Sequence, residues 1–338
     1  MRLSTARLAE TSVRLAELRF PLERVQIHRT RLAFIHLDNL LHFAKIDRDG
    51  RVDGFVVAYL PDEVTILLLR RGDLATAIAY AEGGRAVVSI ATALKRIRQE
   101  SERGELAYGY APLEQLAWMY SCCAAPATAR EVDQKHPDLL LTALEDEKFT
   151  GVLELISNGR VNYVRFNQGQ ILNGHFCDKP DGLSAPQYLL SLFAPDARGA
   201  RPCIAAAVFP PADDLPEQAP PALIQTYREL FWSIVNAAER EVPGEATKRV
   251  KRHRDLLANV HKSLTALGTP LDRDPIDVVA SPEELNYALS DWALQFLEEL
   301  EIIAPGIAPG VVQEATREHR FVLQKAGFYD RLPWTMHW

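Results

Sequence analysis

The chain is poor in the residues and runs that mark several large protein classes. Its 338 residues include only four cysteines, too few for a disulfide framework, which favours a reducing cytoplasm. No apolar run approaches the about 20 residues that a membrane helix needs. Charges interrupt the first twenty residues, unlike a signal peptide. We therefore expect a cytoplasmic protein without membrane insertion.

Sequence signatures of catalysis are also missing. The chain contains no Gly-x-Ser-x-Gly, no P-loop, no Gly-x-Gly-x-x-Gly after a predicted strand and no His-Glu-x-x-His. Its nine histidines do not cluster, and the pair His175 and Cys177 has no second pair of metal ligands nearby in sequence. We therefore predict a protein that is not an enzyme and that holds no metal or cofactor.

Charge is modest and mostly acidic. The formal net charge of −7 gives no general attraction to nucleic acid or to anionic membranes. One basic run stands out in this acidic chain and supplies five candidate partner-binding residues: Lys248, Arg249, Lys251, Arg252 and Arg254. The alternative is a solvated helix face balanced by the acidic helix that contains Glu283, Glu284, Asp291, Glu298, Glu299 and Glu301. Without interleaved aromatic residues the run favours an acidic protein partner over nucleic acid.

The most informative feature that is present is an internal repeat. Each residue of the second copy lies 97 positions after its counterpart, as Gly151 follows Gly54. The same offset relates Val64 to Val161, Gly72 to Gly169, and Leu74 to Ile171. Each copy reads as three antiparallel strands with flanking helices, so we predict an α+β fold built from two tandem modules.

Turn residues separate the predicted strands. Gly72 and Gly169 occupy equivalent positions, where a left-handed residue would connect the second and third strands. Asn158-Gly159 lies between two apolar runs and predicts a type I′ hairpin. The glycines of the repeat therefore predict turns and not reactive loops.

The domain boundaries follow from changes in composition and period. We predict an N-terminal arm or helix over 1–30, a first module over 31–125 and a second module over 136–210. A proline-rich linker over 211–221 precedes a helical bundle over 222–338, where apolar residues recur at helical spacing. Ser281-Pro282-Glu283-Glu284 in this bundle is a capping box with proline at the first helical position.

The three-strand pattern resembles the bacterial domain of unknown function found at the N-terminus of PatA-type response regulators. In the second copy the resemblance is carried by Leu139-Leu140-Leu141, Gly151 to Leu155, Val161 to Phe166 and Gly169-Gln170-Ile171. In the first copy it is carried more loosely by Leu40-Leu41, Gly54 to Val57, Val64 to Leu69 and Gly72-Asp73-Leu74. The resemblance covers residues 30–210 and implies a protein-interaction or signal-transmitting module without catalytic residues.

The favoured hypothesis is a non-catalytic adaptor or scaffold in bacterial signalling or cell organisation, with a protein partner and with homo-oligomerisation left open. One alternative is a small-ligand sensor that holds a nucleotide or anion between the modules. Its candidate residues are Gly83, Gly84 and Arg85, which precede a helix predicted over 85–102. A second alternative is a regulator of a small GTPase.

Overall fold

The computed structural model describes residues 14–46, 52–82, 84–195, 199–274 and 277–336. The chain divides into two units, Met1–Pro216 and Glu217–Trp338. The first unit contains two antiparallel sheets with helices, and the second contains helices. The predicted α+β class, with two sheet modules followed by a helical bundle, is confirmed.

The strands and helices of the first unit alternate in the order that the repeat predicts. Its strands are β1 (Arg24–Arg31), β2 (Gly54–Tyr59), β3 (Glu63–Arg70), β4 (Asp73–Ala81), β5 (Gly84–Val88), β6 (Glu105–Tyr110), β7 (Thr128–Arg130), β8 (Gly151–Ser157), β9 (Arg160–Asn167), β10 (Gln170–His175) and β11 (Ile204–Phe209). Its helices are α1 (Leu37–Ile46), α2 (Ile90–Gln99), α3 (Leu113–Ala124), α4 (Asp138–Asp146) and α5 (Ala185–Ser191).

The two sheets have the same strand order apart from one strand. The first sheet runs β1-β6-β2-β3-β4-β5 and the second runs β7-β11-β8-β9-β10 when read from the matching end. Their registers also agree, because Gly54 pairs with Leu69 as Gly151 pairs with Phe166. The duplication therefore extends to five equivalent strands per sheet, and β5 is an addition to the first.

Two strands correct the sequence reading. β1 pairs with β6 and β7 pairs with β11, so each sheet is wider than the predicted three-strand core. All of β1 except Arg31 lies in the segment predicted as an arm or helix over 1–30, of which residues 1–13 lie outside the described residues. β1 has the sequence Arg-Val-Gln-Ile-His-Arg-Thr-Arg, which is mostly polar and largely exposed, as suits an edge strand. It lacks the apolar run that identifies a central strand.

Gly72 and Gly169 have the same structural role. Their φ angles are 76° and 82°, the left-handed region that glycine adopts without steric cost. A Cβ on Gly72 would lie 2.1 Å from the carbonyl oxygen of Ala44, and one on Gly169 would lie 2.7 Å from the Cα of Glu145. In each module, this turn packs against the end of the leading helix, α1 or α4.

The inward faces of the two sheets share one apolar core. It includes Phe55, Val57, Tyr59, Val64 and Ile66 of the first sheet and Val152, Ile156, Val161 and Tyr163 of the second. Helix α3 completes this core with side chains buried all round the helix: Leu116, Trp118, Met119, Cys122 and Cys123. The outward faces form two separate cores, one with α1 and α2 and one with α4 and α5.

The second unit contains six α-helices within its described ranges. They are α6 (Pro221–Glu241), α7 (Glu245–Leu257), α8 (Ser263–Leu267), α9 (Pro282–Glu301), α10 (Ile307–Thr316) and α11 (Arg320–Lys325). Stacked rings mark its core, with 3.9 Å between the Phe231 and Trp292 centroids and 4.9 Å between those of Trp292 and Phe296. The predicted capping box is present, because Ser281 accepts from the backbone of Glu284, whose side chain accepts from Ser281 N–H.

Two helical stretches that the apolar period predicts as continuous are interrupted. The stretch from Val250 to Leu267 breaks after α7, where Asn259 and Val260, both weak helix formers, occupy a turn. The stretch from 311 to 326 is divided between α10 and α11 by a 3₁₀ turn. The aromatic C-terminal segment packs on its own unit, since Phe328 is fully buried.

Candidate functional site

A buried ion pair joins the two modules of the first unit. Nη1 of Arg85, on β5, lies 2.7 Å and 2.6 Å from the two carboxylate oxygens of Glu154, on β8. The side chains are only 1% and 3% exposed. The guanidinium carbon also lies 4.7 Å from the ring centroid of Phe209. The pair therefore connects the edge strand of one sheet to the central strand of the other.

The charge state of Arg85 follows from these contacts. Burial by itself lowers the pKa of the guanidinium, but the Glu154 carboxylate, together with the Cys122, Tyr80 and Cys123 side chains, more than offsets this and leaves the pKa well above its usual value. The charge of Arg85 is thus balanced by a carboxylate that it contacts through Nη1, while its buried Nε has no hydrogen-bond partner. A balanced and buried charge attracts an incoming anion less than an unpaired one does.

Two tyrosines and two cysteines surround the pair. Burial raises the pKa of Tyr80 and of Tyr163 well above the usual phenol value. It also raises the pKa of Cys122 well above the usual thiol value and that of Cys123 to about 12, even though Arg85 acts in the opposite direction. Because the thiolate is the nucleophilic form, these cysteines are unreactive at neutral pH. The raised pKa values keep these tyrosines and cysteines protonated at neutral pH, as is typical of structural residues and not of reactive ones.

The anion cradle predicted at Gly83, Gly84 and Arg85 is not at a helix N-terminus. Gly84 and Arg85 begin β5, whereas α2 begins at Ile90 behind the cap Ser89, whose Oγ accepts from the N–H of Thr92 at 3.0 Å. Gly83 lies outside the described residues. The predicted helix is present but begins five residues later than predicted, at Ile90, because Ala-Val-Val after Arg85 extends the sheet, with Arg85 opposite Tyr80.

A small cavity lies between the modules of the first unit. It has a volume of about 230 Å³ and is lined by the first sheet, by the segment that precedes β1, and by Cys177 and Asp178, which follow β10. Its polar groups are already paired: Arg19 lies 3.0 Å from Asp178, and the Tyr59 hydroxyl donates to the carbonyl of Leu18 at 2.9 Å. Ligand pockets are usually larger, about 300–1,000 Å³, and have convergent polar groups. The cavity does not have the features of a ligand site.

The described residues form neither a metal-ligand cluster nor a membrane-spanning helix. Over the part of the chain that the structure describes, no group of three or more His, Cys, Asp or Glu side chains is arranged to hold a metal. His175 packs on Trp118, with 5.0 Å between the ring centroids, and Cys177 is buried. Within the same ranges, no helix combines the length and the apolar character needed to cross a membrane.

The predicted hairpin residues Asn158 and Gly159 connect β8 to β9. Their φ angles are 46° and 78°, which is the pattern of a type I′ turn. A Cβ on Gly159 would lie 2.4 Å from the carbonyl oxygen of Glu17. The turn therefore also packs against the N-terminal segment at Glu17, a contact that the sequence did not indicate.

The basic run lies on α7, and half of it faces its own unit. Arg249 donates to carboxylates of both Glu245 and Glu299, the latter 3.0 Å from Nε. His253 also contacts Glu299, and Arg254 is bonded to Asp255. Glu299 belongs to α9, the acidic helix of the alternative interpretation, and it also lies 3.4 Å from Nη1 of Arg252. That interpretation accounts for Arg249 and Arg252, whereas Arg254 pairs with a residue of its own helix.

The other half of the run forms an exposed surface. Lys248 and Arg252 have side chains 71% and 64% exposed, and each is also ion-paired within its own unit, Lys248 with Glu245 at 2.9 Å and Arg252 with Glu299 at 3.4 Å. Lys251 is exposed as well. Leu256 is 59% exposed and Val260 is 73% exposed. We define the α7 surface as Lys248, Lys251, Arg252, Leu256 and Val260. Four of its members recur at every fourth residue, so basic residues continue into apolar ones along one side of the helix and its following turn.

Glu154, the acidic partner in the buried ion pair, is not identified by the sequence motifs. It stands alone in the run Gly-Val-Leu-Glu-Leu-Ile, with every neighbour on β8 buried. A single carboxylate inside an apolar strand must find a charged partner, because an unpaired buried charge is strongly unfavourable. This signal could have identified a buried pair, although not Arg85 as the partner.

Comparison of the chain with protein-family models, with curated proteins and with solved structures gives no match. The resemblance of residues 30–210 to the domain of PatA-type regulators stays a prediction.

Proposed function

We propose that the chain is a non-catalytic adaptor in bacterial cytoplasmic signalling or cell organisation, which binds an acidic protein partner through the α7 surface. The observation that carries this proposal is the exposure of Leu256 and Val260 directly beyond the basic residues Lys248 and Arg252. Exposed apolar patches rimmed by polar residues are typical of protein interaction sites. The resemblance of the modules to signalling domains supports the same class.

Charge complementarity specifies the partner. The α7 surface is locally positive on a chain whose formal net charge is −7. An acidic segment with one or two apolar side chains would pair with Lys248, Lys251 and Arg252 and cover Leu256 and Val260. Such pairing accelerates association and excludes partners of the same charge, while the apolar contacts supply affinity. We expect binding to weaken as salt is added.

The first unit suits an adaptor because its modules form one body. Their inward faces share a single core, and the Arg85–Glu154 pair crosses it. A rigid frame of this kind holds surfaces in a fixed relation without any chemistry of its own.

The test uses the full chain as bait with lysate from its native organism, followed by binding measurements with each purified partner. We expect a directly binding acidic protein whose affinity falls at least about tenfold with Leu256→Asp, equivalent to about 1.4 kcal/mol. The matched control is Phe321→Asp, which places the same charge at another exposed apolar residue, 69% exposed, in the same unit. If Leu256→Asp and Phe321→Asp affect binding equally, the α7 surface is not the site.

The small-ligand alternative has less support, because Arg85 is engaged by Glu154 and the cavity is small. A thermal-shift screen against nucleotides tests it, since a ligand of the native state must raise the melting temperature. The GTPase-regulator alternative is tested by hydrolysis assays with candidate GTPases.

A further inference from the structure

The outer edge of β10 differs from the equivalent edge in the first module. β10 corresponds to β4, since each is the third strand of its copy and pairs with the second. β4 has β5 on its other side, whereas β10 is the last strand of its sheet. Among the residues that the structure describes, no strand takes the place of β5 in the second module. The third strand of the first module is therefore covered by another strand, whereas the third strand of the second module, β10, is an edge strand.

The other three sheet edges carry features that prevent strand addition. β5 is mostly buried and lies against α3. β1 has exposed arginines, including Arg24 and Arg29. β7 is only three residues long. Short length, positive charge and cover by a helix are among the means by which proteins protect strand edges.

β10 has six residues, Gln-Ile-Leu-Asn-Gly-His, and neither lysine, arginine nor proline among them. Burial lowers the pKa of its one titratable residue, His175, although Glu114 acts in the opposite direction, so the strand is uncharged at neutral pH. Leu172 on this strand is 61% exposed. An uncharged edge with an exposed leucine is a favourable template for another strand.

Comparison within the repeat identifies Leu172 as an exception. It stands at the β-bulge of β10, where its counterpart at the bulge of β4 is Ala75. Ala75 is buried at 4% exposure, so the first module places a small residue at this position and covers it. The second module places a large apolar side chain there and leaves it in solvent.

We propose that β10 pairs antiparallel with β10 of a second copy of this chain, which joins two sheets into one continuous sheet across a two-fold axis. A second copy fits this edge because the strand itself carries no charge, and the nearest carboxylate, that of Glu114 on α3, already accepts a hydrogen bond from Asn173 at 2.8 Å. Antiparallel pairing centred near Leu172 places the two Leu172 residues close to each other across the two-fold axis. The interface lies in the first unit and is independent of the α7 surface.

The expected dimer is reversible. One strand pair of six residues is smaller than a standard interface, which buries about 1,200–2,000 Å². The dimer should therefore dissociate on dilution, and the monomer should keep its fold because both sheets are complete without the second copy.

Sedimentation velocity over a concentration series tests the proposal. We expect wild type to show a monomer–dimer equilibrium and Leu172→Lys to remain monomeric over the same range. The control is Leu139→Lys, which adds the same charge at a leucine 52% exposed on α4 of the same module and should dimerise as wild type does. A wild type that stays monomeric, or a Leu172→Lys variant that dimerises equally well, overturns the proposal.

Hydrogen exchange locates the interface. Amides in 170–175 should exchange more slowly in concentrated wild type than in dilute wild type, and Leu172→Lys should abolish the difference. A wild-type dimer without added protection in 170–175 overturns the proposal. Because the adaptor test reads Leu256 in the other unit, either proposal can fail while the other stands.

Discussion

Substitution of Glu154 by glutamine should destabilise the first unit strongly. Glutamine keeps the size and shape of the side chain but removes the charge that faces Arg85. The arginine cannot lose its proton, so it would remain charged at 1% side-chain exposure without a counterion. Loss of one partner of a buried ion pair typically costs about 3–5 kcal/mol.

The structure supplies a matched control for this estimate. Arg98 and Asp38 form an ion pair in the same unit with a similar N–O distance, 2.7 Å, but with side chains 54% and 60% exposed. Solvent screens such a pair, and the typical contribution is about 0–1 kcal/mol. Asp38→Asn should therefore change stability by less than about 1 kcal/mol, although the ion pair that it removes has a similar N–O distance.

The double substitution Arg85→Met with Glu154→Leu separates two explanations. If the penalty comes from an unpaired buried charge, removal of both charges should recover most of it, and stability should return to within about 1 kcal/mol of wild type or exceed it. If the pair holds the modules together by attraction that apolar contacts cannot replace, the double variant should remain as unstable as Glu154→Gln.

The assay must read the first unit separately from the second. We suggest urea titration followed by hydrogen exchange in peptides that cover β5 and β8, with peptides from α9 as the internal reference. A loss below about 1 kcal/mol for Glu154→Gln, similar to that for Asp38→Asn, would refute the argument from burial.

Two further predictions concern the turns and the thiols. Gly169→Ala should destabilise the first unit by more than the about 1–2 kcal/mol that left-handed backbone alone costs, because the new Cβ would clash with α4. Gly182→Ala should cost only the backbone contribution, because Gly182 has a φ of 88° and open space around it. Equal melting temperatures for the two variants would contradict this. In the native protein a thiol reagent should label the half-buried Cys203 well before Cys122 and Cys123, because these two are buried and have raised pKa values. Mass spectrometry of labelled peptides measures the order of labelling. Rapid labelling of Cys122 or Cys123 in the native protein would contradict the prediction.

Local pattern was sufficient for the strands of the repeat. Apolar runs ended by Gly72, Gly169 and Asn158-Gly159 predict β2, β3, β8 and β9 to within one or two residues. These positions are set by local backbone preference and by burial, which a sequence displays directly. The class of the fold follows from them.

Long-range pairing explains what the sequence did not reveal. β1 is mostly polar and joins its sheet only because β6, about eighty residues later, offers a free edge. β5 was read as the start of a helix because its strand character depends on pairing with β4. The link between Arg85 and Glu154 joins residues 69 positions apart in different modules. No local period contains that information.

The shared core has a consequence for how the two copies can diverge. Equivalent faces of equivalent modules meet there, as in a symmetric dimer of a single module. In such a dimer every substitution would appear on both sides of the axis, so a carboxylate at the position of Glu154 would also replace Val57. Within one polypeptide the two sides are inherited separately, and a lone acid on one side can be matched by a lone base on the other.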